Sequence, residues 1–216
     1  MTATGDLFAA SEPEHEALGD GAAVLRGFAL PMQALLLEDL HHVLAAAPLR
    51  HMVTPGGHTL SVAMSNCGML GWISDRRGYR YEPIDPASGK PWPPLPESFV
   101  ALAGRAAAAV DFAAFVPDGC LINRYVPGAK LSLHQDRDER DFNAPIVSVS
   151  LGMPAVFQFG GWHRGDPVRR VPLQHGDVVV WGGPARLRYH GVLPLKTQPH
   201  PLLGTQRYNF TLRKAG

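Results

Sequence analysis

The segment CLINRYVPGAKLSLHQD, residues 120–136, contains two runs of strand-forming residues separated by a Pro-Gly turn. The two predicted strands are CLINRYV (120–126) and KLSLHQ (130–135), and six similar runs follow them: IVSVSLG (146–152), AVFQFGG (155–161), RRVPL (169–173), DVVVWGG (177–183), RLRYHGV (186–192) and QRYNFTLR (206–213). Eight short strands with no helical pattern between them predict a closed or sandwiched β architecture such as a jelly roll, and they argue against a βαβ fold.

The part of the chain before these strands has a different pattern. Residues 31–48 and 96–115 are rich in Ala and Leu and each opens with a proline, which predicts two helices that flank the sheets. Residues 50–95 hold Gly, Pro, Tyr and Trp in short runs, which predicts short strands or hairpins with an exposed aromatic and basic surface. Residues 1–20 are expected to form a loose acidic lead-in. The predicted fold class is therefore mainly β with flanking helices (α+β).

The composition is that of a folded chain. Of the 216 residues, 45% are hydrophobic and 18% charged, which excludes a disordered protein, and the net charge of +1 argues against non-specific coating of DNA. No apolar run reaches the length of a membrane span, and no signal-peptide pattern is present, so a cytoplasmic location is expected. Cys67 and Cys120 are too few for a disulfide framework or a zinc cluster and are expected to be buried.

His134 and Asp136 are the first candidate metal ligands. Side chains alternate along a strand, so these two would project from the same face at the end of one strand. With a third ligand they would form a 2-His-1-carboxylate triad, which suits Fe(II) and leaves positions open for oxygen and a chelating substrate. The pair is weak evidence alone, because a chain with ten histidines is expected to contain one His-x-Asp by chance. A second one, His175-Gly-Asp177, is interpreted as a turn that enters a strand.

The last predicted strand, residues 206–213, provides the second indication of a functional site. Alternation places Arg207, Asn209, Thr211 and Arg213 on one face. This face is either solvated or lines a cavity, and inward-facing arginines would then require an anionic partner such as a dicarboxylate. Asn123 and Tyr125 also share a face and could add neutral donors to the same acid.

Several longer segments carry a family resemblance. They are RxMVTPGGxTxSVAMxNCG (50–68), GW (71–72), GYxYxPIDP (78–86), INRYxPGAKLSLHQD (122–136), PIVSVSLGxPAxFQFGG (145–161), HGDVVVWGG (175–183), YHG (189–191) and RYNxTxR (207–213). Over nearly the whole chain this pattern resembles the AlkB family of 2-oxoglutarate/Fe(II) dioxygenases, and it looks most like the bacterial DNA alkylation-repair demethylases of that family.

The resemblance implies a double-stranded β-helix in a single compact unit. Residues 1–118 would form an N-terminal extension with buttressing helices and a nucleotide-recognition lid at about 50–95, and residues 119–216 the catalytic core. Fe(II), 2-oxoglutarate and O2 are the implied cofactor and co-substrates. The implied catalytic residues are the iron ligands His134, Asp136 and His190, together with Arg213. The implied 2-oxoglutarate contacts are Asn123, Tyr125, Arg207, Asn209 and Arg213.

The implied reaction is the demethylation of bases alkylated on a ring nitrogen, such as 1-methyladenine or 3-methylcytosine, with release of formaldehyde, succinate and CO2. Single-stranded DNA is the implied substrate, with double-stranded DNA and RNA as further candidates, and a monomer is expected. Such lesions are cationic, so an aromatic face and a carboxylate suit them. The implied substrate-binding residues are Trp72, Tyr79, Asp138, Arg164, Thr54 and Met64.

The resemblance also implies that Trp72 stacks on the base, and the residues next to Trp72 predict a surface loop. The basic and aromatic residues expected to contact nucleic acid are Arg76, Arg77, Arg80, Tyr81, Lys130 and Arg137. His58 and Arg188 depart from the family pattern, which has aromatic residues there, and Arg188 would either contact phosphate or be solvated.

Two alternative functions remain open at the level of the sequence. One is a 2-oxoglutarate oxygenase that acts on RNA alone or on a target other than nucleic acid, which would not need Trp72, Asp138 and the Arg/Tyr segment together. The other is a non-catalytic jelly-roll module that binds a small acid, and loss of a triad residue would favour it.

Overall fold

The computed structural model describes residues 15–216. These residues form an eight-stranded sheet in the order β1-β2-β12-β9-β14-β7-β4-β3, a four-stranded sheet in the order β11-β10-β13-β8, and a hairpin of β5 and β6. The strands are β1 (His15–Gly19), β2 (Ala22–Leu25), β3 (Arg50–Val53), β4 (Thr59–Gly68), β5 (Gly71–Asp75), β6 (Gly78–Glu82), β7 (Gly119–Tyr125), β8 (Leu131–His134), β9 (Ile146–Gly152), β10 (Ala155–Phe159), β11 (Arg169–Leu173), β12 (Val178–Trp181), β13 (His190–Val192) and β14 (Arg207–Arg213). The helices are α1 (Gln33–Ala46) and α2 (Glu97–Ala108).

The two large sheets pack face to face. Their inner side chains form one apolar cluster, in which Phe157 of the four-stranded sheet lies 6.0 Å, between ring centroids, from Trp181 of the eight-stranded sheet. All pairings within both sheets are antiparallel. The prediction of a mainly β, jelly-roll architecture with flanking helices is therefore confirmed.

The two helices cover the outer face of the eight-stranded sheet. Leu36 and Leu40 of α1 and Phe99 of α2 are fully buried in a second apolar cluster with Phe210 of β14. Along β14, Phe210 and Leu212 therefore face the helices, whereas the alternating polar residues lie on the opposite face and line the cavity: Arg207, Asn209, Thr211 and Arg213. Neither helix in the described part of the chain is long and apolar enough to cross a membrane.

The second helix is shorter than the sequence predicts. It ends at Ala108, not at residue 115, although the residues that follow are rich in alanine. Asp111 adopts a left-handed conformation (φ 64°), and the N–H of Phe112 donates to the carbonyl oxygen of Ala107 at 3.0 Å. This is a Schellman ending. It turns the chain so that Phe112 packs against the backbone of Gly182, where a Cβ would lie 2.7 Å from the Phe112 ring.

The region before the first helix also differs from expectation. Residues 15–19 are not a loose lead-in but form β1, which pairs with β2 at the edge of the large sheet. Arg26 and Glu16 form an ion pair in this region, and Arg169 binds the other oxygen of the same carboxylate at 2.6 Å. Residues 1–14 of the expected lead-in lie outside the described residues.

The segment 50–95 is built from strands, as predicted. β3 and β4 extend the large sheet, since β4 pairs with β7 from Ala63 to Gly68, and only β5 and β6 form a separate hairpin. Cys67 and Cys120 are opposite each other in the β4–β7 pairing and are both buried, as expected.

The predicted strand 186–192 is mostly wrong. Only His190–Val192 is a strand, because a 3-10 turn at Gly183–Ala185 and the following residues turn the chain toward the cavity between the sheets. In this short strand His190 is the register partner of His134 in β8. Tertiary pairing therefore brings two histidines together that are 56 positions apart in the sequence (190 − 134 = 56).

Phe99 provides a test of how the helices support the sheet. The Phe99→Ala variant is expected to lose about 3–5 kcal/mol of unfolding free energy, because the ring is fully buried and stacks on Phe210 at 4.5 Å. Urea unfolding measures the loss. Leu35→Ala on α1, where the side chain is 48% exposed, is the matched control and should change stability by less than about 1 kcal/mol. Equal losses in the two variants would contradict this packing.

Candidate active site

One cavity of about 700 Å³ is lined by residues of both large sheets and of the hairpin. The catalytic, 2-oxoglutarate-binding and substrate-binding residues that the resemblance implies all line it: Thr54, Met64, Trp72, Tyr79, Asn123, Tyr125, His134, Asp136, Asp138, Arg164, His190, Arg207, Asn209 and Arg213. Arg76, Arg77, Arg80 and Tyr81, also expected to contact nucleic acid, are not among its lining residues. His58, Lys130 and Arg137 line it as well. Residues distant in the sequence therefore converge on a single chamber.

His134, Asp136 and His190 form the only group of three potential metal ligands found in residues 15–216. Their ligand atoms all lie within 4.8 Å of one another. The Nε2 atom of His134 is 3.6 Å from Oδ1 of Asp136, and the Nε2 atom of His190 is 3.4 Å from Oδ2. Two imidazoles and one carboxylate on one side of an open cavity match the donor set of a 2-His-1-carboxylate site and fit Fe(II).

Backbone contacts orient both imidazoles for metal binding. The Nδ1 atom of His134 lies 2.8 Å from the carbonyl oxygen of Ser132, and the Nδ1 atom of His190 lies 3.0 Å from that of Arg188. Because a carbonyl only accepts hydrogen bonds, Nδ1 of each ring is the donor, which leaves Nε2 of each ring as the atom that can bind a metal together with Asp136. Burial and the neighbouring His190 lower the pKa of His134 to about 4, so this ring is neutral at physiological pH.

A buried ionic network holds Asp136. The Nη2 atom of Arg213 lies 2.7 Å from Oδ2 of Asp136, and Arg186 donates to the backbone carbonyl of Asp136 at 2.6 Å. Glu139 accepts from both arginines at 3.0 Å and from the hydroxyl of Tyr81 at 2.8 Å. Burial would raise the pKa of Asp136, but Arg213 and the two histidines hold it well below its usual range, so the carboxylate stays ionised.

Arg207 supplies a buried positive charge at the other end of the cavity. It is 1% exposed, donates to Oγ of Ser150 at 2.9 Å and lies over the Tyr125 ring at 5.0 Å. Among the described residues, its Nε and Nη1 atoms have no hydrogen-bond partner, nor does the Tyr125 hydroxyl, and no carboxylate forms an ion pair with it. A buried charge left in this state is costly, so the site fits a ligand carboxylate.

Neutral donors surround this arginine. Burial raises the pKa of Tyr125 to about 12, so its phenol keeps the proton and can donate a hydrogen bond to a carboxylate. Asn123 and Asn209 are register partners in β7 and β14. Asn209 donates to Oγ of Ser148 at 2.7 Å, which fixes its amide, while the side-chain oxygen of Asn123 has no partner in the described chain.

Trp72, Tyr79 and Asp138 form the mouth of the cavity. The indole N–H of Trp72 donates to Oδ2 of Asp138 at 2.8 Å, and the Tyr79 ring stacks on Trp72 at 5.6 Å with a 12° angle between planes. The side chain of Asn66 exchanges two hydrogen bonds with the Trp72 backbone, at 2.9 and 3.0 Å. At Gly71 a Cβ would lie 2.3 Å from Trp92, so only glycine fits there. Trp72 is therefore held rigidly.

Three expectations about this region need correction. Trp72 lies in strand β5 and not in a surface loop. Arg80 is not free for phosphate, because it binds both oxygens of Asp75 at 2.9 and 3.0 Å and Glu82 at 2.8 Å. Tyr81 points inward to Glu139 and Arg213, where burial raises its pKa well above the usual value, and is not part of an exposed surface.

Arg188, expected either to contact phosphate or to be solvated, is partly buried and packs against the smaller sheet. Its guanidinium lies 4.2 Å over the Phe159 ring, and its Nε atom donates to the carbonyl oxygen of Gly160 at 2.6 Å. The departure from the family pattern at this position is thus accommodated by packing. His58 lies at the exposed rim, where its backbone N–H donates to Oγ1 of Thr54 at 3.1 Å.

The second His-x-Asp pair has a structural role, as expected. Asp177 accepts from Arg26 at 2.6 Å and from the backbone N–H of Gly27 at 2.9 Å. His175 accepts from the backbone N–H of Gly152 at 2.9 Å, and its other ring nitrogen lies 2.8 Å from the side-chain oxygen of Gln33. Gly176 between them has φ +87°, which makes this segment a tight turn.

Several supporting residues were missed by sequence reasoning. Ser148 and Ser150 alternate with apolar residues in β9, and this period of two was a readable signal that they share one face, on which Ser148 lines the cavity and Ser150 accepts from Arg207. Glu139, Arg186 and Asn66 had no such signal, because each acts through contacts with residues distant in the sequence. Only the folded chain brings Arg186 to Glu139 and Asn66 to Trp72.

Comparisons with known proteins agree with this geometry. The sequence model of the 2OG-Fe(II) oxygenase superfamily matches residues 21–213. The chain is 60% identical to alpha-ketoglutarate-dependent dioxygenase AlkB of Escherichia coli (strain K12) over 98% of both chains. It is 44% identical to the AlkB homolog of Caulobacter vibrioides (strain NA1000 / CB15N) over 85% of this chain and 82% of that protein.

A solved structure supports the fold assignment. The structure of OsALKBH1 superposes with a TM-score of 0.82 and 29% identity, and the match covers 93% of this chain and 100% of that one. The triad, the unpaired buried arginine and these similarities lead to one conclusion. The chain belongs to the AlkB family within the 2OG-Fe(II) oxygenase superfamily, and it is an enzyme that uses Fe(II), 2-oxoglutarate and O2.

Proposed function

We propose that this dioxygenase removes alkyl groups from ring nitrogens of nucleic-acid bases and thereby reverses alkylation damage directly. The observation that carries the proposal is the pairing of Trp72 with Asp138 at the mouth of the cavity that contains the His-Asp-His triad. Alkylation of adenine at N1 or cytosine at N3 makes the base cationic. An indole face and a carboxylate both attract such a cation, and together they select it over a neutral base.

His134, Asp136 and His190 are the proposed iron ligands. When bound, the iron with O2 and 2-oxoglutarate supplies the oxidation of a C–H bond that the side chains themselves cannot perform. The protein orients the two imidazoles through Ser132 and Arg188, and Arg213 fixes the ionised Asp136. Arg213 is therefore proposed to act on the metal ligand; it lies at the metal end of the site, away from Arg207.

Arg207 is the proposed partner of the distal carboxylate of 2-oxoglutarate. Its unpaired Nε and Nη1 atoms and the Tyr125 hydroxyl are donors that a carboxylate satisfies. Asn123 and Asn209 line the same end of the cavity and would hold the acid between Arg207 and the iron. This arrangement orients the co-substrate before oxygen reacts, so that oxidation is directed at the base.

The damaged base is proposed to lie between Trp72 and His134, with Asp138 at its edge. Met64 lines the cavity beside Asn123 and limits the depth to which the base enters. A base can reach this position only after leaving its stack, which is easiest in a single strand or where alkylation has already blocked pairing. We therefore infer single-stranded DNA as the preferred substrate, with double-stranded DNA and RNA as further substrates.

Residues at the rim are proposed to contact the sugar–phosphate backbone. The cavity lining includes five such residues: Thr54, Tyr79, Lys130, Arg137 and Arg164.

The names of related proteins support a nucleic-acid substrate. ALKBH1A of Arabidopsis thaliana, 39% identical over 45% of this chain, is a DNA N(6)-methyladenine demethylase. ALKBH1 of Mus musculus, 31% identical over 61% of this chain, is a nucleic acid dioxygenase.

The organisation of the enzyme follows from the same proposal. We infer that residues 119–216 form the catalytic core and that the segment at about 50–95, which carries Thr54, Met64, Trp72 and Tyr79 to the cavity, acts as the nucleotide-recognition lid within a single compact unit. The site is formed within one chain, which supports a monomer, and a cytoplasmic location is inferred from the substrate.

A direct assay tests the function. The enzyme with Fe(II), ascorbate, O2 and 2-oxoglutarate is expected to convert 1-methyladenine and 3-methylcytosine in a single-stranded oligonucleotide to the unmodified bases, with one formaldehyde released per repair. Mass spectrometry of the oligonucleotide measures the conversion, and the same lesions in double-stranded DNA and RNA rank the substrates. Succinate formation without repair of either base would show that the oxygenase acts on another target.

A metal-binding experiment tests the triad. Asp136→Ala is expected to lose high-affinity Fe(II) binding and at least about 100-fold in succinate formation, because it removes the only anionic ligand of the group. Equilibrium metal titration gives a readout independent of turnover. His175→Ala, from the other His-x-Asp pair, is the matched control and should bind Fe(II) like the unmodified enzyme. Normal Fe(II) affinity in Asp136→Ala would refute the assignment.

A comparison of co-substrates tests Arg207. Arg207→Gln is expected to raise KM for 2-oxoglutarate about 10- to 100-fold, since a hydrogen bond to a charged group contributes about 1.5–3 kcal/mol. The same change should have little effect on a 2-oxo acid that lacks the distal carboxylate, which serves as the internal control. Equal effects on both acids would mean that Arg207 supports the fold and does not bind the carboxylate.

A further inference from the structure

One exposed aromatic residue has no role in the site described above. Of the four tryptophans, Trp92 and Trp181 are buried and Trp72 lines the cavity. Trp162 is 56% exposed and lies in the segment that joins β10 to β11. Single exposed apolar side chains are common on protein surfaces, so the contacts that orient this ring, and not its exposure alone, indicate a role.

Trp162 is held in a defined orientation despite its exposure. Its indole N–H donates to the carbonyl oxygen of Pro184 at 3.0 Å, and the guanidinium of Arg188 lies 5.6 Å from its ring centroid. Arg188 is itself fixed by Phe159 and by the carbonyl oxygen of Gly160. One edge and one side of the indole are therefore anchored while most of its surface stays open. A preformed aromatic surface loses little conformational entropy when it binds a ligand.

Trp162 lies next to the rim of the cavity. The neighbouring Gly160 and Gly161 exchange backbone hydrogen bonds with Tyr189 at 2.7 and 2.8 Å, and Tyr189 lines the cavity. Arg164 also lines the cavity and places its guanidinium 5.2 Å over the Tyr189 ring. A cation that lines the cavity and an exposed aromatic ring thus stand two residues apart in the same connecting segment. Alternating basic and aromatic groups of this kind suit a single nucleic-acid strand, because phosphates bind the cations and bases stack on the rings.

We propose that Trp162 is a second base-binding site, on which an unpaired base close to the damaged nucleotide stacks while Arg164 contacts the intervening phosphate. This inference rests on the proposed nucleic-acid substrate and extends it, since it assigns the direction in which the strand leaves the cavity. Arg188 acts as a positioning residue that holds the indole from behind. Stacking does not depend on which base is present, so the site adds affinity without sequence preference.

Kinetics with substrates of two lengths test the proposal. Trp162→Ala is expected to raise KM at least about fivefold for 3-methylcytosine in a longer single-stranded oligonucleotide, and to leave kcat and the KM for the same lesion in a mononucleotide unchanged. Trp162→Phe should restore most of the affinity, because it keeps an aromatic face. Leu202→Ala, which removes a side chain that is 60% exposed and does not line the cavity, is the matched control and should behave like the unmodified enzyme.

Binding of an undamaged oligothymidylate, followed by fluorescence anisotropy, separates this inference from the proposed activity. If Trp162→Ala binds the oligothymidylate more weakly than the unmodified enzyme does, the second site is supported. If the unmodified enzyme at the same time repairs no base, the proposed demethylation is refuted. Normal repair together with unchanged KM values in Trp162→Ala would refute the second site and leave the activity standing. A dimer of the unmodified enzyme that Trp162→Ala dissociates would also overturn the proposal, because it would show that a second copy of the chain covers this surface.

Discussion

The ion pair between Arg213 and Asp136 is the constraint on which the site depends. Asp136 follows β8 of the four-stranded sheet, whereas Arg213 ends β14 of the eight-stranded sheet, so their 2.7 Å contact joins the two sheets at the iron end of the cavity. Glu139 and Arg186 extend this contact into a network with little access to water. Replacing any one member would leave a buried charge uncompensated, which is why the whole set has to be present together.

The two ends of the cavity differ in the charge that they offer to a ligand. At the iron end, the Asp136 charge is balanced by Arg213 and is available to a metal. At the other end, the Arg207 charge has no protein counter-ion in the described chain and is available to an acid. This polarity would orient an acid that also chelates the metal, because only one direction satisfies both ends. At the mouth of the cavity, the carboxylate of Asp138 beside the Trp72 indole would favour a cationic base over a neutral one.

The two departures from the family pattern, His58 and Arg188, leave the His134, Asp136 and His190 triad intact. Arg188 stands where an aromatic residue is expected, yet it packs on Phe159 and reaches Trp162. The Arg188 side chain is therefore held by neighbouring groups and is only partly exposed. It connects the interior of the smaller sheet to an exposed ring beside the opening. Variation at such positions can change how a strand is held without altering the iron or 2-oxoglutarate contacts.

The sequence by itself determined the β architecture and which polar residues of β14 share a face, because strand alternation is a local property of the chain. The resemblance carried by the long motifs implied the cavity residues, whereas folding decided that the polar face of β14 lines a cavity. It did not determine where α2 ends, how much of residues 186–192 is a strand, or that Arg80, Tyr81 and Arg188 are used internally. Those features were decided by the tertiary structure, since the packing of Phe112 on Gly182 and the ion pairs of Arg80 and Glu139 involve partners brought together only by folding. Local propensity is overridden wherever such a contact contributes more free energy than the local preference that it opposes.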